Sequence, residues 1–214
     1  MNEYGKQSCA DRSKLRESIV LKAQEAFKEQ GIKGITMDDI ASMVGISKRT
    51  LYEIFADKQE LLSACILYNQ QCRDEFAKQV VETSANVLEV ILRIYQQSIE
   101  HFHKTNRKFF EDMKRYPKAC ELLAERQHRD SDRAVKFFKQ GVEQGVFRDD
   151  VHFEILHHLV KGWMDMLLST DICKRYSFVE VFESIMFTFL RGIATEQGAR
   201  ELNDFIEKYR KGQQ

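Results

Sequence analysis

Proline and glycine are scarce in this sequence of 214 residues, which contains one proline and ten glycines. Folds rich in β-structure need many tight turns, and tight turns use these two residues. The scarcity therefore favours long helices. No apolar run approaches the length of a membrane span, and residues 1–10 are too polar for a secretory signal peptide. These absences predict a helical protein of the cytoplasm that does not enter a membrane.

Net charge is absent as well, since 33 Lys and Arg residues balance 33 Asp and Glu residues. Binding to nucleic acid without sequence preference depends on strong positive charge, so the balance of charges disfavours an architectural DNA-binding protein. A sequence-specific protein needs only a local basic face. The five cysteines are scattered and odd in number, which favours reduced thiols over a disulfide framework.

The spacing of apolar residues predicts an all-α protein with two folded domains. We predict a disordered lead-in over residues 1–12, a three-helix domain over residues 13–56, and a larger helical domain over residues 57–214. In the first domain, a helix from Ser13 to Gln30 precedes two short helices. The larger domain is predicted to contain helices over about residues 58–81, 86–103, 106–116, 117–145, 152–169 and 177–195, and a terminal helix that ends near residue 208.

The two short helices lie in the segment of residues 36–62, which reads TMDDIASMVGISKRTLYEIFADKQELL. Thr36 with Asp39 forms a capping box for the first helix, and Ser47 caps the second. Ala41 permits close approach of the two helices, and Gly45 supplies the left-handed turn between them. This layout is typical of a helix-turn-helix, which places its second helix in the major groove of DNA.

The exposed side of the second short helix carries side chains suited to DNA. Arg49 has the planar fork that reads guanine O6 and N7, whereas Lys48 suits a phosphate. Thr50 offers a methyl or a hydroxyl group to a base, and the remaining polar residues suit phosphate oxygens. The predicted DNA contacts are Thr36, Ser47, Lys48, Arg49, Thr50, Tyr52 and Lys58. The alternative is a helical small-molecule-binding or enzymatic protein whose helix-turn-helix is only structural.

The same stretch closely resembles the TetR family of transcriptional regulators. Their signature is G-x-x-x-x-T, followed by D-I-A-x-x-x-G-(V/I)-S-x-x-T-(L/I)-Y-x-x-F-x-x-K-x-x-L. The matching residues in this chain are Gly31, Thr36, Asp39, Ile40, Ala41, Gly45, Ile46, Ser47, Thr50, Leu51, Tyr52, Phe55, Lys58 and Leu61. The resemblance covers about residues 15–62.

The resemblance implies a homodimer that binds palindromic operator DNA, most simply as a repressor that blocks a promoter. It also implies a C-terminal domain in which an unidentified small-molecule effector alters the affinity for DNA. By match to the motif, the DNA contacts would be Thr36, Lys48, Thr50, Tyr52 and Lys58. Family members often carry a small residue at the position of Arg49, so its role in reading a base follows from its chemistry alone.

Aromatic and methionine side chains are dense after residue 94, and such side chains suit an adaptable, largely apolar cavity. Ordinary core packing is the alternative for each of them. The predicted pocket residues are Tyr95, Phe109, Phe110, Met113, Phe138 and Trp163. The resembled family also implies that the last two long helices form the dimer interface. The predicted interface residues are Leu156, Val160, Leu167, Ile185, Phe189 and Gly192.

The sequence contains only weak signs of catalysis, metal binding or disulfide formation. We therefore predict no enzyme, no cofactor and no metal site. His101 with His103 and His157 with His158 lack the helical spacing of three or four residues that metal ligands usually have. Cys65 and Cys72 lie two helical turns apart, too far for a disulfide. Carboxylate pairs such as Asp149 and Asp150 lack the apolar surround that would shift their pKa values. No phosphate-binding glycine loop and no nucleophile elbow are present.

Overall fold

The structure, a computed structural model, describes the backbone of residues 3–129, 131–169 and 172–211. Within these ranges, side chains are not described for residues 3–10, 124–129, 131, 132, 161, 164–169, 173 and 174. Twelve α-helices form in the described ranges: α1 (Glu3–Gln30), α2 (Met37–Val44), α3 (Lys48–Ile54), α4 (Lys58–Thr83), α5 (Val87–His103), α6 (Arg107–Met113), α7 (Pro117–Arg129), α8 (Ser131–Glu143), α9 (Phe153–Ser169), α10 (Ile172–Arg175), α11 (Phe178–Ile193) and α12 (Glu196–Lys211).

The all-α prediction is confirmed for these residues. Besides the helices, they contain an isolated β-bridge between Phe147 and Ala194. Across the described helices, no apolar stretch is long enough and free enough of charge to cross a bilayer.

Contacts divide the chain into two compact units. Unit 1 comprises Met1–Arg73 and Lys104–Ala124, and unit 2 comprises Asp74–His103 and Glu125–Gln214. The predicted boundary between residues 56 and 57 differs from this division. Unit 1 also takes the first part of α4, because Leu61 and Leu62 are buried in the same core as α1, α2 and α3. It further includes α6, which packs against α1, a helix distant from it along the chain.

The described helices differ from the prediction at two places. α1 begins at Glu3 rather than Ser13, so the predicted lead-in is helical from Glu3 onward. Extension of an established helix through polar residues is much easier than starting a new one. In place of the helix predicted over residues 117–145, the structure describes α7 and α8, and Asp130 between them lies outside the described residues. The short helix α10 has no counterpart in the prediction.

Unit 1 has an apolar core built from one stripe of each helix. Its fully buried members include Ile19, Ala23, Phe27, Ile32, Ile40, Leu51, Phe55 and Leu61. Hydrogen bonds also connect α6 to the end of α1. The Asn106 N–H donates to the carbonyl oxygen of Lys28 at 2.7 Å, and the Lys33 N–H donates to the Asp112 carboxylate at 2.7 Å. These bonds hold the turn in which Gly31 has a φ of 84°.

Unit 2 packs α5, α8, α9, α11 and α12 around a second core. Its fully buried side chains include Leu88, Phe147, Leu190 and Leu202. The start of α12 lies so close to a preceding loop that a Cβ atom at Gly198 would lie 2.2 Å from the Val146 carbonyl oxygen. Only glycine permits this approach, which brings the loop and α12 into direct backbone contact.

Candidate nucleic-acid interface and apolar cavity

The turn between α2 and α3 is held by hydrogen bonds that the local sequence specifies. At the start of α2, the Asp39 N–H donates to the Thr36 hydroxyl at 3.1 Å, and the Thr36 N–H donates to the Asp39 carboxylate at 2.8 Å. Gly45 ends α2 with a φ of 76°, and the Ile46 N–H donates to the Ala41 carbonyl oxygen at 3.0 Å. The predicted capping box and glycine turn are therefore present.

Asp39 also gives this cap a pH dependence. Hydrogen bonds from the side chain and then the backbone of Thr36 lower the pKa of the Asp39 carboxyl. A lowered pKa in the folded state means that the cap stabilises α2 above the unfolded-state pKa and is lost as pH falls through the folded-state value.

Helix α3 presents one face to the core and the opposite face outward. Ser47 caps it by accepting a hydrogen bond from the Thr50 N–H at 3.1 Å. Leu51 is fully buried, as is Phe55, which follows the helix. The predicted contacts Ser47, Lys48, Arg49 and Tyr52 are exposed on this region, and Thr50 is half-buried. The fold thus brings these five residues together, while their contact with DNA stays a prediction.

Carboxylates of the same chain neutralise the two cations of this face. The Lys48 ammonium forms a hydrogen-bonded ion pair with Asp38 of α2, and Arg49 Nε donates to Glu53 Oε1 at 2.9 Å. The hydrogen bond that Lys48 donates to the Asp38 carboxylate raises the pKa of Lys48, which therefore stays protonated. Both pairs are exposed, so each contributes little to folding stability. A DNA phosphate or base would have to compete with these carboxylates.

Lys58 has a structural role that the sequence did not indicate, and Thr36 takes part in the predicted capping box. The half-buried Lys58 ammonium donates to the carbonyl oxygen of Ile35 and lies 5.8 Å from the centre of the Phe27 ring. Partial burial lowers the pKa of this amine. The Thr36 hydroxyl donates to the Asp39 carboxylate at 2.7 Å. Both groups therefore have partners within unit 1, and their contact with DNA phosphates stays a prediction.

Arg12 is a candidate member of the nucleic-acid interface that was not predicted from the sequence. Its Nη2 donates to the carbonyl oxygen of Glu53 at 3.1 Å, and the nearby Arg16 guanidinium lies 4.9 Å from the centre of the Phe55 ring. The part of α1 around Arg12 and Arg16 therefore lies beside α3. Arg12 fell within the predicted lead-in, and no local pattern indicates a contact with a helix so far along the chain.

Unit 2 contains an apolar cavity of about 230 Å³. Of the six predicted pocket residues, Phe138 and Trp163 line it. The other lining residues are Ile91, His157, Val160, Phe182, Ile185, Met186 and Phe189. Polar groups among these side chains are the His157 imidazole and the indole N–H of Trp163, so the cavity suits a ligand that is largely apolar.

The other four predicted pocket residues have different positions. Phe109, Phe110 and Met113 belong to α6 in unit 1. Tyr95 is a buried core residue of unit 2, where its hydroxyl donates to Glu183 at 2.6 Å and its ring stacks on Phe182. Aromatic content alone cannot separate a cavity wall from a filled core, because both consist of the same side chains.

Three of the six predicted interface residues face the interior of unit 2. Leu156 packs against the core of unit 2, Phe189 is buried, and Ile185 lines the cavity. Gly192 is exposed, Val160 is 38% exposed, and the side chain of Leu167 lies outside the described residues. The outward apolar face of α9 instead carries Ile155 and Leu159, which are 59% and 50% exposed. Both faces of α9 are apolar, so periodicity could not tell which one packs inward.

The described residues contain no grouping of three or more His, Cys, Asp or Glu side chains that could hold a metal ion. Burial raises the pKa of the Cys65 thiol to about 12, which disfavours the reactive thiolate.

Comparison with known proteins finds similarity to one family of bacterial regulators. The profile described as bacterial regulatory proteins, tetR family, matches residues 19–65. The transcriptional repressor KstR2 of Mycobacterium tuberculosis is 25% identical over 144 residues, which cover 65% of this chain and 72% of that protein.

Solved structures show the same fold. The structure of KstR2, described as a ketosteroid transcriptional regulator, has a TM-score of 0.55 at 21% identity, covering 85% of this chain and 95% of that one. A regulator from Saccharomonospora viridis in complex with choline has a TM-score of 0.67 at 20% identity, covering 86% of this chain and 100% of that one.

Proposed function

We propose, from the premise that this chain belongs to the TetR family of bacterial transcriptional regulators, that it binds a palindromic operator as a homodimer with α3 of each protomer in the major groove. It is a ligand-responsive DNA-binding regulator. We propose that it acts as a repressor by occupying a promoter. The name of KstR2 describes that protein as a transcriptional repressor.

One observation carries the DNA-binding proposal. α3 is locked into unit 1 by the buried Leu51 and by Phe55, while Lys48, Arg49 and Tyr52 on its other side are exposed. A recognition helix needs this combination, because its base-reading side chains must be held rigidly and still reach the groove.

Contact roles follow from side-chain chemistry. Arg49 reads guanine through its guanidinium fork. Lys48 and Tyr52 contact phosphates, which fix the register of the helix without reading sequence. Thr50 and Ser47 lie at the start of α3 and offer hydroxyl groups to a base or a phosphate. Thr36 and Lys58 support this surface by holding α2 and the segment before it, and they reach phosphate only if DNA displaces their partners within the chain.

Substitution of Arg49 and of Lys48 should have different consequences. Arg49→Ala is expected to weaken binding to a duplex selected by the wild-type protein by about 1–3 kcal/mol and to relax preference at one base pair of each half-site. Lys48→Ala is expected to weaken binding to all sequences alike. It should also make the negative slope of log K against log salt shallower by about 1. Fluorescence anisotropy titrations over a series of salt concentrations measure both quantities.

A random-sequence duplex of the same length serves as the control for both variants. If Arg49→Ala and Lys48→Ala changed affinity for the selected and the random duplex by the same factors, the division into base contact and phosphate contact would be wrong.

The cavity of unit 2 is the proposed effector site. Its volume of about 230 Å³ exceeds the roughly 150 Å³ of an apolar cavity known to hold benzene. It is smaller than the roughly 300–1,000 Å³ of pockets for drug-sized ligands. The proposed effector is therefore a compact, largely apolar molecule whose polar group hydrogen-bonds to His157. Effector binding alters DNA affinity only to the extent that it favours one spacing of the two recognition helices over the other.

Trp163 is the sole tryptophan of the chain and lines the cavity, so its fluorescence reports on occupancy. With 1-adamantanol as a compact apolar probe, we expect a shift of the Trp163 emission. We also expect stabilisation against unfolding of about 2.7 kcal/mol at one hundred times Kd. Ile91→Phe fills the cavity and should abolish both effects, whereas Ile91→Val should retain them. Equal binding to both variants would place the probe elsewhere.

The proposed dimer interface is the outward face of α9 around Ile155 and Leu159. Both side chains are exposed, and their spacing of four residues places them on one face of the helix. Large apolar side chains grouped on an exposed face are typical of an interaction site. Two-fold symmetry then matches the two half-sites of a palindrome.

A further inference from the structure

Glu53, near the end of α3, contacts two arginines. Its Oε1 accepts a hydrogen bond from Arg49 Nε at 2.9 Å, and its carbonyl oxygen accepts one from Arg12 Nη2 at 3.1 Å. Arg49 and Glu53 are four residues apart, so their side chains lie on the same face of the helix. That face points outward, since the two side chains are 89% and 57% exposed.

This contact leaves a defined part of the Arg49 guanidinium open. The group has five N–H donors, one on Nε and two on each Nη. With Nε bonded to Glu53, the two Nη atoms remain and form the terminal fork. Two parallel donors of this kind match the O6 and N7 acceptors on the major-groove edge of guanine.

We infer that Glu53 is a positioning residue that presents the Nη fork of Arg49 to guanine, and that the two residues together determine the base preference of α3. The inference rests on the proposed function, since it requires α3 to enter the major groove. An arginine held in one conformation before binding loses less conformational entropy when it meets its base. The Glu53 carboxylate also repels phosphates, so it lowers affinity for every sequence and leaves discrimination to the base contact.

Two substitutions that change the charge by the same amount separate the positioning of Arg49 from the repulsion of phosphates. Glu53→Gln and Glu53→Met both remove one negative charge, but glutamine keeps a carbonyl oxygen that accepts a hydrogen bond from Arg49 Nε. Methionine has similar length and no comparable acceptor. Asp38→Asn removes a charge beside Lys48 and leaves Arg49 and Glu53 intact, so it controls for charge alone.

The wild-type protein first selects its preferred duplex from a random-sequence library, and each variant is then titrated with that duplex and its single-base-pair substitutions. We expect Arg49→Ala to remove a preference of about 5- to 150-fold for one G·C pair. Glu53→Met should reduce the same preference by roughly 3- to 10-fold. Glu53→Gln and Asp38→Asn should retain most of it. All three acid-to-neutral variants should bind random DNA more tightly by similar factors, with unchanged melting midpoints.

Three results would overturn the inference. If Arg49→Ala removes the preference and Glu53→Met leaves it intact, Glu53 has no positioning role, although the proposed function stands. If both Glu53 variants lose preference at a different base pair, Glu53 reads a base itself, such as the N4 amine of cytosine. If Arg49→Ala alters no base preference, the base-reading role of Arg49 under the proposed function fails, and the inference fails with it.

Discussion

Replacing Phe55 with alanine is expected to lower the free energy of unfolding of unit 1 by about 3–5 kcal/mol. The side chain is completely buried, and it belongs to the core that joins α1, α2 and α3. Loss of the ring removes apolar contacts and leaves a cavity that rigid helices fill poorly. A domain has only about 5–15 kcal/mol of stability, so the variant should also lose DNA binding near physiological temperature. Urea denaturation followed by circular dichroism measures the change.

Tyr52→Ala is the matched control, because it removes an aromatic ring from the same region at a position that is 49% exposed. Its stability should remain within about 0.5 kcal/mol of the wild type, while its affinity for DNA falls through loss of a phosphate contact. A Tyr52 variant as unstable as the Phe55 variant would contradict the outward orientation of this face of α3.

The second large effect is expected at the proposed dimer interface. Leu159→Glu should convert the dimer into monomers, because dimerisation would bury a carboxylate without a partner. The fold of the monomer should be almost unaffected, since Leu159 is 50% exposed. A monomer carries one recognition helix and should lose most of its affinity for a palindromic duplex. Analytical ultracentrifugation and anisotropy titration measure the two consequences.

Leu21→Glu provides the comparison, since Leu21 is 45% exposed on α1 and lies outside the proposed interface. This variant should sediment as the wild type does. A wild-type protein that is monomeric at micromolar concentration, or a Leu159→Glu variant that remains dimeric, would exclude this face of α9 as the interface.

The helix-turn-helix could be predicted almost completely because its determinants are local. The cap at Thr36 requires Asp39 three residues later, and the cap at Ser47 requires the Thr50 N–H. Gly45 adopts the left-handed conformation that the turn needs. Each of these interactions joins residues within one helical turn, so the sequence pattern contains both partners.

The surface of this motif was less predictable. Lys48 and Arg49 read as free cations in the sequence, yet each has a carboxylate partner in the folded chain. The Arg49–Glu53 pair has the spacing of helical neighbours and was open to sequence reasoning. The contact of Lys58 with the Ile35 carbonyl oxygen was not, because it depends on how α4 packs against the segment before α2.

The sequence by itself determined the helical class, the caps and turn of the helix-turn-helix, and the close approach of its two helices at Ala41, which is buried. These features follow from backbone preferences and from contacts within a few residues. Only the tertiary structure decided that α6 joins unit 1, that Tyr95 fills a core while Trp163 lines a cavity, and that Leu159 faces outward. A helix that is apolar on several faces has more than one way to pack, and its environment is settled by partners that are distant along the chain.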